Sequence, residues 1–227
     1  VKAVGQLEIL RTKLQQNPFD GTVGLGHTRW ATHGKATEQN AHPHLDCTET
    51  AVIVHNGIIE NHHELRSALL VQNHTFLSET DTEVIAHLFE QYLSTSLSIQ
   101  EAFSKTIQQL QGAYACILLS QENPDMLLVA RKGSPLCIGK GDGEMFVSSD
   151  PLAFVGRAQS VFFLPEHCYG FVSKDAVEIF DVQGNPLPVE MKPIDARWVN
   201  SEKGQFEHFM LKEIYEQKQA IARTIQW

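Results

Sequence analysis

"TAVIVHNGIIENHHELR", residues 50–66, changes its period part-way along. Ala51 to Val54 is an apolar, β-branched run, the pattern of a strand covered on both faces. Asn61, three residues before Glu64, then has the spacing of a helix-capping box, and Leu65, Ala68 and Leu69 share one helical face. A helix is expected from there to about Gln72. Between strand and helix lies Asn56-Gly57, for which two readings stand. Asn-Gly after β-residues is the usual signal of a tight hairpin turn. Alternatively, the Asn56 side-chain amide and the Gly57 N–H form a pair of donors aimed at a developing oxyanion, each worth about 3–4 kcal/mol in acyl transfer. The next residues start a helix and supply no returning strand, which weakens the hairpin.

Two further capping boxes lie downstream, "TDTE" (80–83) and "SIQE" (98–101). The first predicts a helix to about Leu93 with Val84, Ile85, Leu88, Phe89 and Tyr92 inward. The second predicts one carrying Ile99, Phe103, Ile107 and Leu110 on its buried face. Short β-rich runs surround them: "TVGLGHT" (22–28), "AYACILLS" (113–120), "DMLLVAR" (125–131), "PLCIGK" (135–140), "EMFVSSD" (144–150), "SVFFL" (160–164) and "CYGFVS" (168–173). Turn signals separate several of them: "ENPD", "KGDGE" and "VQGNP". Strands, then helices, then many strands predict an α+β fold of sheets packed face to face with helices outside. The βαβ alternation of a doubly wound sheet is absent. From Pro186 to Gly204 the sequence turns polar and irregular, and an amphipathic segment begins near His208, "HFMLKEIYEQKQAIARTIQW".

A chain of 227 residues suits one large domain or two small ones. Its net charge of −9, with no local Lys/Arg cluster, argues against nucleic acid as a partner. Cysteines at 47, 116, 137 and 168 form no CxxC pair and mostly sit in apolar runs, which predicts a reducing, cytoplasmic setting. No apolar run reaches membrane-spanning length and no signal peptide is seen. The chain opens at Val1, so it is expected to have lost residues or to be a piece of a longer polypeptide.

Three stretches invite chemistry. In "GHTRWATHG" (26–34) the Arg29 fork suits a carboxylate and Trp30 gives a flat wall, while Gly24, Gly26 and Gly34 allow close approach. A surface salt bridge beside a half-buried tryptophan would explain the same residues. Asn56 and Gly57 are the second. The third is Asp81, which the helix dipole alone would favour, or which receives an ammonium group. An arginine for a carboxylate and an aspartate for an ammonium together define an α-amino acid site. His33, His42, His44, His55, His62 and His63 match no metal-ligand spacing, so no metal is assigned. "GKGDGE" lacks Walker spacing, and no GxSxG elbow is present.

Taken in order, "GHTRWATHG", "NAHPH", "VHNGIIENHHELR", "SETDTEVIAHL" and "GAYACILL" resemble the class II glutamine amidotransferases, which are N-terminal-nucleophile hydrolases. "ARKGSPLCIGKGDGEMFVSSD" and "HFMLKEIYEQ" are similar to the isomerising branch that aminates fructose 6-phosphate to glucosamine 6-phosphate. The resemblance runs over essentially the whole chain. It implies a four-layer αββα sandwich lacking its first strands here. Residues 1–204 would be the amidotransferase domain and 205–227 the start of a linker to a sugar-isomerase region. Arg29 would clamp the α-carboxylate of L-glutamine and Asp81 its α-amino group. Thr32 and His33 would line the pocket, Trp30 would cover it, and Asn56 and Gly57 would hold the oxyanion. No cofactor is implied, and homo-oligomerisation would run through the isomerase region. The family's nucleophile is a cysteine at the mature N-terminus, with its own α-amine as base. Val1 has an amine and no thiol, so the chain is expected to lack its attacking group. Other class II amidotransferases and a non-catalytic glutamine-binding module remain as alternatives.

Overall fold

The computed structural model describes residues 1–29, 35–95, 97–194 and 204–225. Two antiparallel sheets carry the architecture. The strands are β1 (His44–Leu45), β2 (Ala51–Ile59), β3 (Gly112–Ser120), β4 (Asn123–Lys132), β5 (Cys137–Lys140), β6 (Met145–Ser148), β7 (Ser160–Phe163), β8 (Cys168–Ser173), β9 (Val177–Asp181), β10 (Pro186–Leu187) and β11 (Lys192–Pro193). The larger sheet has the order β1-β2-β3-β4-β8-β9-β10, and the smaller β11-β7-β5-β6. The helices are α1 (Leu7–Gln16), α2 (His62–Val71), α3 (Glu83–Ser94), α4 (Ile99–Gln109) and α5 (Phe209–Ile225).

The period of two in the central strands assigns each residue to a layer. Tyr114, Cys116 and Leu118 of β3, Leu128 and Ala130 of β4, and Tyr169 and Phe171 of β8 face the helices. Their neighbours Ala115, Val129, Cys168 and Val172 face the smaller sheet, meeting Leu136, Ile138, Phe162 and Leu164. This is why the runs read as apolar throughout: each strand is covered twice. Phe89 of α3 and Phe103 of α4, both fully buried, meet edge-on, and Phe103 meets Tyr169 and Phe171 in the same way. On the outer face of the smaller sheet, Phe154 of a single 3₁₀ turn (Pro151–Phe154) packs with Cys137 and Val161. The layers are therefore helix, sheet, sheet and, among the described residues, a thin last cover.

Some local expectations change. β2 runs straight through Asn56-Gly57, pairing Asn56 with Ala115 and Gly57 with Tyr114, so there is no hairpin turn at that point. Gly57 has φ +119, and an added Cβ would stand 2.0 Å from the Ala113 carbonyl oxygen, so the backbone alone requires glycine there. Of the three capping boxes only Ser98/Glu101 forms. Asn61 spends its side chain on Gln109 O (2.8 Å) and Gln111 N (3.0 Å), tying α2 to the start of β3. Thr80 bonds His44 and Ser78. "TVGLGHT" forms no strand: residues 22–28 pair with no strand of either sheet. "ENPD" is no turn from its second position on: β4 starts at Asn123. Helix α1 and strand β9 have no counterpart among the expected elements. Helix α5 starts within a residue of the expected place. Among the described residues no helix is long and apolar enough to cross a membrane.

Candidate functional site

Strand β2 delivers His55, Asn56 and Gly57 to the floor of a small pocket of about 150 Å³. The segment before α3 supplies Thr80, Asp81 and Thr82, and the strand-less 27–29 segment supplies His27, Thr28 and Arg29. Arg29 and Asp81, 52 positions apart in the sequence, thus line one cavity. Two hollows of about 450 Å³ adjoin it and share His27 and Thr28 with it, but neither includes Asp81. Trp30, Thr32 and His33 lie outside the described residues.

Each polar group is held from behind. Asp81 is buried, and its Oδ2 accepts from Ile59 N at 2.8 Å, fastening the carboxylate to the end of β2. Arg29 donates to the Lys35 carbonyl at 3.2 Å. The approach to Asp81 is set by Glu83, whose carboxylate accepts from Leu77 N and Ser78 N at 2.7 Å each. Burial opposes the Glu83 charge, but these bonds, with His87 and the Ser78 hydroxyl, overcome it and hold its pKa down to about 2. Asn56 Oδ1 lies 2.9 Å from His27 Nε2. That contact makes the oxygen the acceptor and leaves the Asn56 Nδ2 hydrogens to serve as donors.

Sequence reasoning gives the histidines no role beyond His33. The structure stacks His27 on His42 with ring centroids 4.0 Å apart, and His44 stands edge-on to His42. His42 Nδ1 accepts from the His55 backbone N–H at 3.2 Å, so that nitrogen carries no proton. Its Nε2 then meets the Thr82 hydroxyl at 3.4 Å, and the same hydroxyl lies 3.0 Å from His55 Nδ1. His55 Nε2 is left buried with no hydrogen-bond partner among the described residues. Burial, then the neighbouring imidazoles and Arg29, push the His42 pKa down to about 2. Burial and Lys2 lower His44 to about 4, and burial lowers His55 to about 4 against the opposing pull of Asp81. The signal is present in the sequence, since His55 adjoins Asn56, but periodicity does not reveal that four imidazoles meet.

A neutral imidazole layer behind one guanidinium, one carboxylate and an amide donor suits a small zwitterion. The four cysteines are free. Burial raises Cys116, Cys137 and Cys168 to about 12, and none of the four lines the small pocket.

The sequence profile of the family described as "Glutamine amidotransferase domain" matches residues 27–156, more than half of the chain and all described pocket residues. The chain belongs to this glutamine amidotransferase family. Curated proteins named glutamine–fructose-6-phosphate aminotransferase [isomerizing] are similar along its full extent. The one from Idiomarina loihiensis is 45% identical over 226 residues, covering 100% of this chain and 37% of the relative. The one from Pyrococcus horikoshii is 47% identical over 225 residues, covering 99% of this chain and 38% of the relative. The chain therefore spans less than two-fifths of these relatives. Among solved structures, glutamine phosphoribosylpyrophosphate amidotransferase from B. subtilis, complexed with ADP and GMP, superposes with a TM-score of 0.56. It is 24% identical, over 70% of this chain and 35% of that one, a likeness of fold. As an amidotransferase domain, the chain has the class II fold of N-terminal-nucleophile hydrolases.

Proposed function

We propose that this amidotransferase domain is the glutaminase part of an isomerising glutamine–fructose-6-phosphate aminotransferase. The observation that carries the reading is the meeting of Arg29 and Asp81 in one small cavity whose wall includes Asn56. Arg29 would take the α-carboxylate of L-glutamine in a forked, charge-assisted pair, and Asp81 its α-ammonium. The side-chain amide would then lie towards Asn56 and Gly57. A thiolate would add to the amide carbon, with the negative oxygen held by Asn56 Nδ2–H and the Gly57 N–H. Collapse of that intermediate would break the C–N bond and release ammonia, and water would cleave the γ-glutamyl thioester to glutamate. Under this reading the thiolate comes from outside these 227 residues, because Cys116, Cys137 and Cys168 are buried in or beside strands and Cys47 lies away from the pocket. Trp30, Thr32 and His33 would close over the substrate. Residues 205–227 would begin the link to a region that binds fructose 6-phosphate and joins the protein into a homo-oligomer. Free, mostly buried thiols fit a cytoplasmic setting.

The test is the Arg29→Ala variant of the full-length protein, assayed with glutamine and separately with ammonium salt as nitrogen donor. The glutamine-dependent rate should fall while ammonia-dependent amination persists. Equal loss of both would remove Arg29 from the glutamine pocket.

A further inference from the structure

Outside the pocket, three separated segments bring a thiol, two imidazoles and a carboxylate to one point: Cys47 of the β1–β2 turn, His74 after α2, and His87 and Glu90 of α3. Cys47 Sγ lies 3.3 Å from His87 Nδ1 and 3.6 Å from His74 Nδ1. Glu90 Oε2 lies 3.0 Å from His74 Nδ1 and 3.5 Å from His87 Nδ1. All four ligating atoms fall within 4.8 Å of one another. Tetrahedral zinc, with Zn–S about 2.3 Å and Zn–N and Zn–O about 2.1 Å, sets sulfur and nitrogen about 3.6 Å apart and nitrogen and oxygen about 3.4 Å apart. The four measured separations agree with those edges to a few tenths of an ångström.

The surroundings are built for ligation as well. Both rings turn the same nitrogen, Nδ1, to the common point. The other nitrogen of His87 faces Glu83 Oε1 at 3.5 Å, a carboxylate behind a ligating imidazole that fixes the ring. Cys47 Sγ accepts from Thr75 N at 3.3 Å, and the Glu90 carboxylate accepts from Cys47 N at 3.2 Å and Thr48 N at 3.1 Å. Asn73, at φ 68, turns the chain so that His74 joins the group. A thiolate, a carboxylate and two neutral imidazoles sum to −2, which a divalent ion balances. Without an ion, the thiol proton and one proton from each ring are what these four atoms have to share.

We propose that Cys47, His74, His87 and Glu90 bind one zinc ion in a closed site that staples the β1–β2 turn and the α2–α3 connection to α3. Sulfur and nitrogen ligands favour zinc over magnesium or calcium. Four protein ligands leave no open position, so the ion is structural. It would brace the helix whose N-terminal approach carries Asp81. The assignment of no metal from sequence weighs local spacings, and ligands spread from 47 to 90 match none.

The test uses the full-length protein, purified without a metal column, stripped with chelator and titrated with Zn²⁺ against a chromophoric competitor. One zinc per chain is expected, with binding weakened at least about a hundredfold in Cys47→Ser and His74→Gln. Titration with Co²⁺ should give a thiolate-to-cobalt charge-transfer band and intense tetrahedral d–d bands, the former lost in Cys47→Ser. Cys47 is exposed and His74 only partly buried, so these two variants spare the core if His87→Ala fails to fold. A wild-type protein that holds no zinc at micromolar concentration, or zinc binding that is unchanged in Cys47→Ser, would show a hydrogen-bonded cluster only and overturn the proposal.

Discussion

Two groups of histidines flank α3, and their surroundings are electrostatically opposite. His27, His42, His44 and His55 face one another, Arg29 and Lys2, and burial pushes all four towards neutrality, aided by the neighbouring cations and imidazoles at His42 and opposed by Asp81 at His55 and by the Asn56 hydrogen bond at His27. His74 and His87 face the carboxylate of Glu90, with that of Glu83 behind His87. The first group serves as uncharged donors and acceptors that line a site for a small zwitterion. The second sets a thiol, two ring nitrogens and a carboxylate around one point, the donor set of the proposed zinc site. Counting histidines would treat the two alike, and only the partners of each ring nitrogen separate them.

The largest expected effect lies in the first group's pocket. Asp81→Asn keeps an acceptor for Ile59 N but removes the charge facing the ammonium. Glutamine binding should weaken by about 4 kcal/mol, near a thousandfold, as read by calorimetric titration. Asn56→Ala should lower kcat for glutamine hydrolysis a few hundredfold, about 3 kcal/mol, with little change in KM. An unchanged kcat would dismiss the oxyanion role. Gly57 offers no comparable test, because its backbone geometry alone forbids a side chain.

Glu83 belongs to both regions, since it orders residues 77–78 ahead of Asp81 and stands behind His87. Glu83→Gln sets an amide donor against backbone and hydroxyl donors and should cost about 2 kcal/mol of stability in denaturant titration. Because the folded pKa of Glu83 is depressed, its stabilisation is present above the unfolded value and is lost as pH falls towards about 2.

The neutral histidines titrate in the other direction of charge but with the same consequence. An unfolded histidine takes its proton near 6.5, whereas folded His44 and His55 do so near 4 and His42 near 2. Below about pH 6.5 the unfolded chain therefore binds protons that the folded chain refuses, and stability falls as pH drops from there towards 4. His44→Gln should remove one proton from that dependence, about 1.4 kcal/mol per pH unit. Melting temperatures recorded from pH 7.5 to 4.5 check this, and a flat wild-type profile would dissolve the contrast between the two groups.

The sheets are legible because their strands are buried on both faces, so continuous apolar runs mark β3, β4, β5, β7 and β8 directly. Segments whose outcome depends on remote partners are not. Asn61, Thr80 and Glu83 read as capping residues, yet their side chains bond other partners: Gln109, His44 and the backbone of Ser78. Helix α1 buries none of its residues, so Leu7, Leu10 and Leu14, though at helical spacing, mark no core-facing stripe. The opposite charges of Arg29 and Asp81 can be paired from residue chemistry alone. The layer of imidazoles behind them, and the cluster that Cys47 of the β1–β2 turn and His74 after α2 form with His87 and Glu90 of α3, exist only once those segments are packed together.

The central claim is that Arg29 and Asp81 grip the two ends of one amino acid, and a cycle on both protein and ligand tests it most directly. Calorimetry on the full-length protein would compare L-glutamine with its α-carboxamide, which lacks the carboxylate, in wild type and in Arg29→Ala. The account predicts that wild type discriminates strongly against the carboxamide and that Arg29→Ala binds the two equally poorly. Discrimination that survives in Arg29→Ala would show that the carboxylate is held elsewhere, and the account would fail.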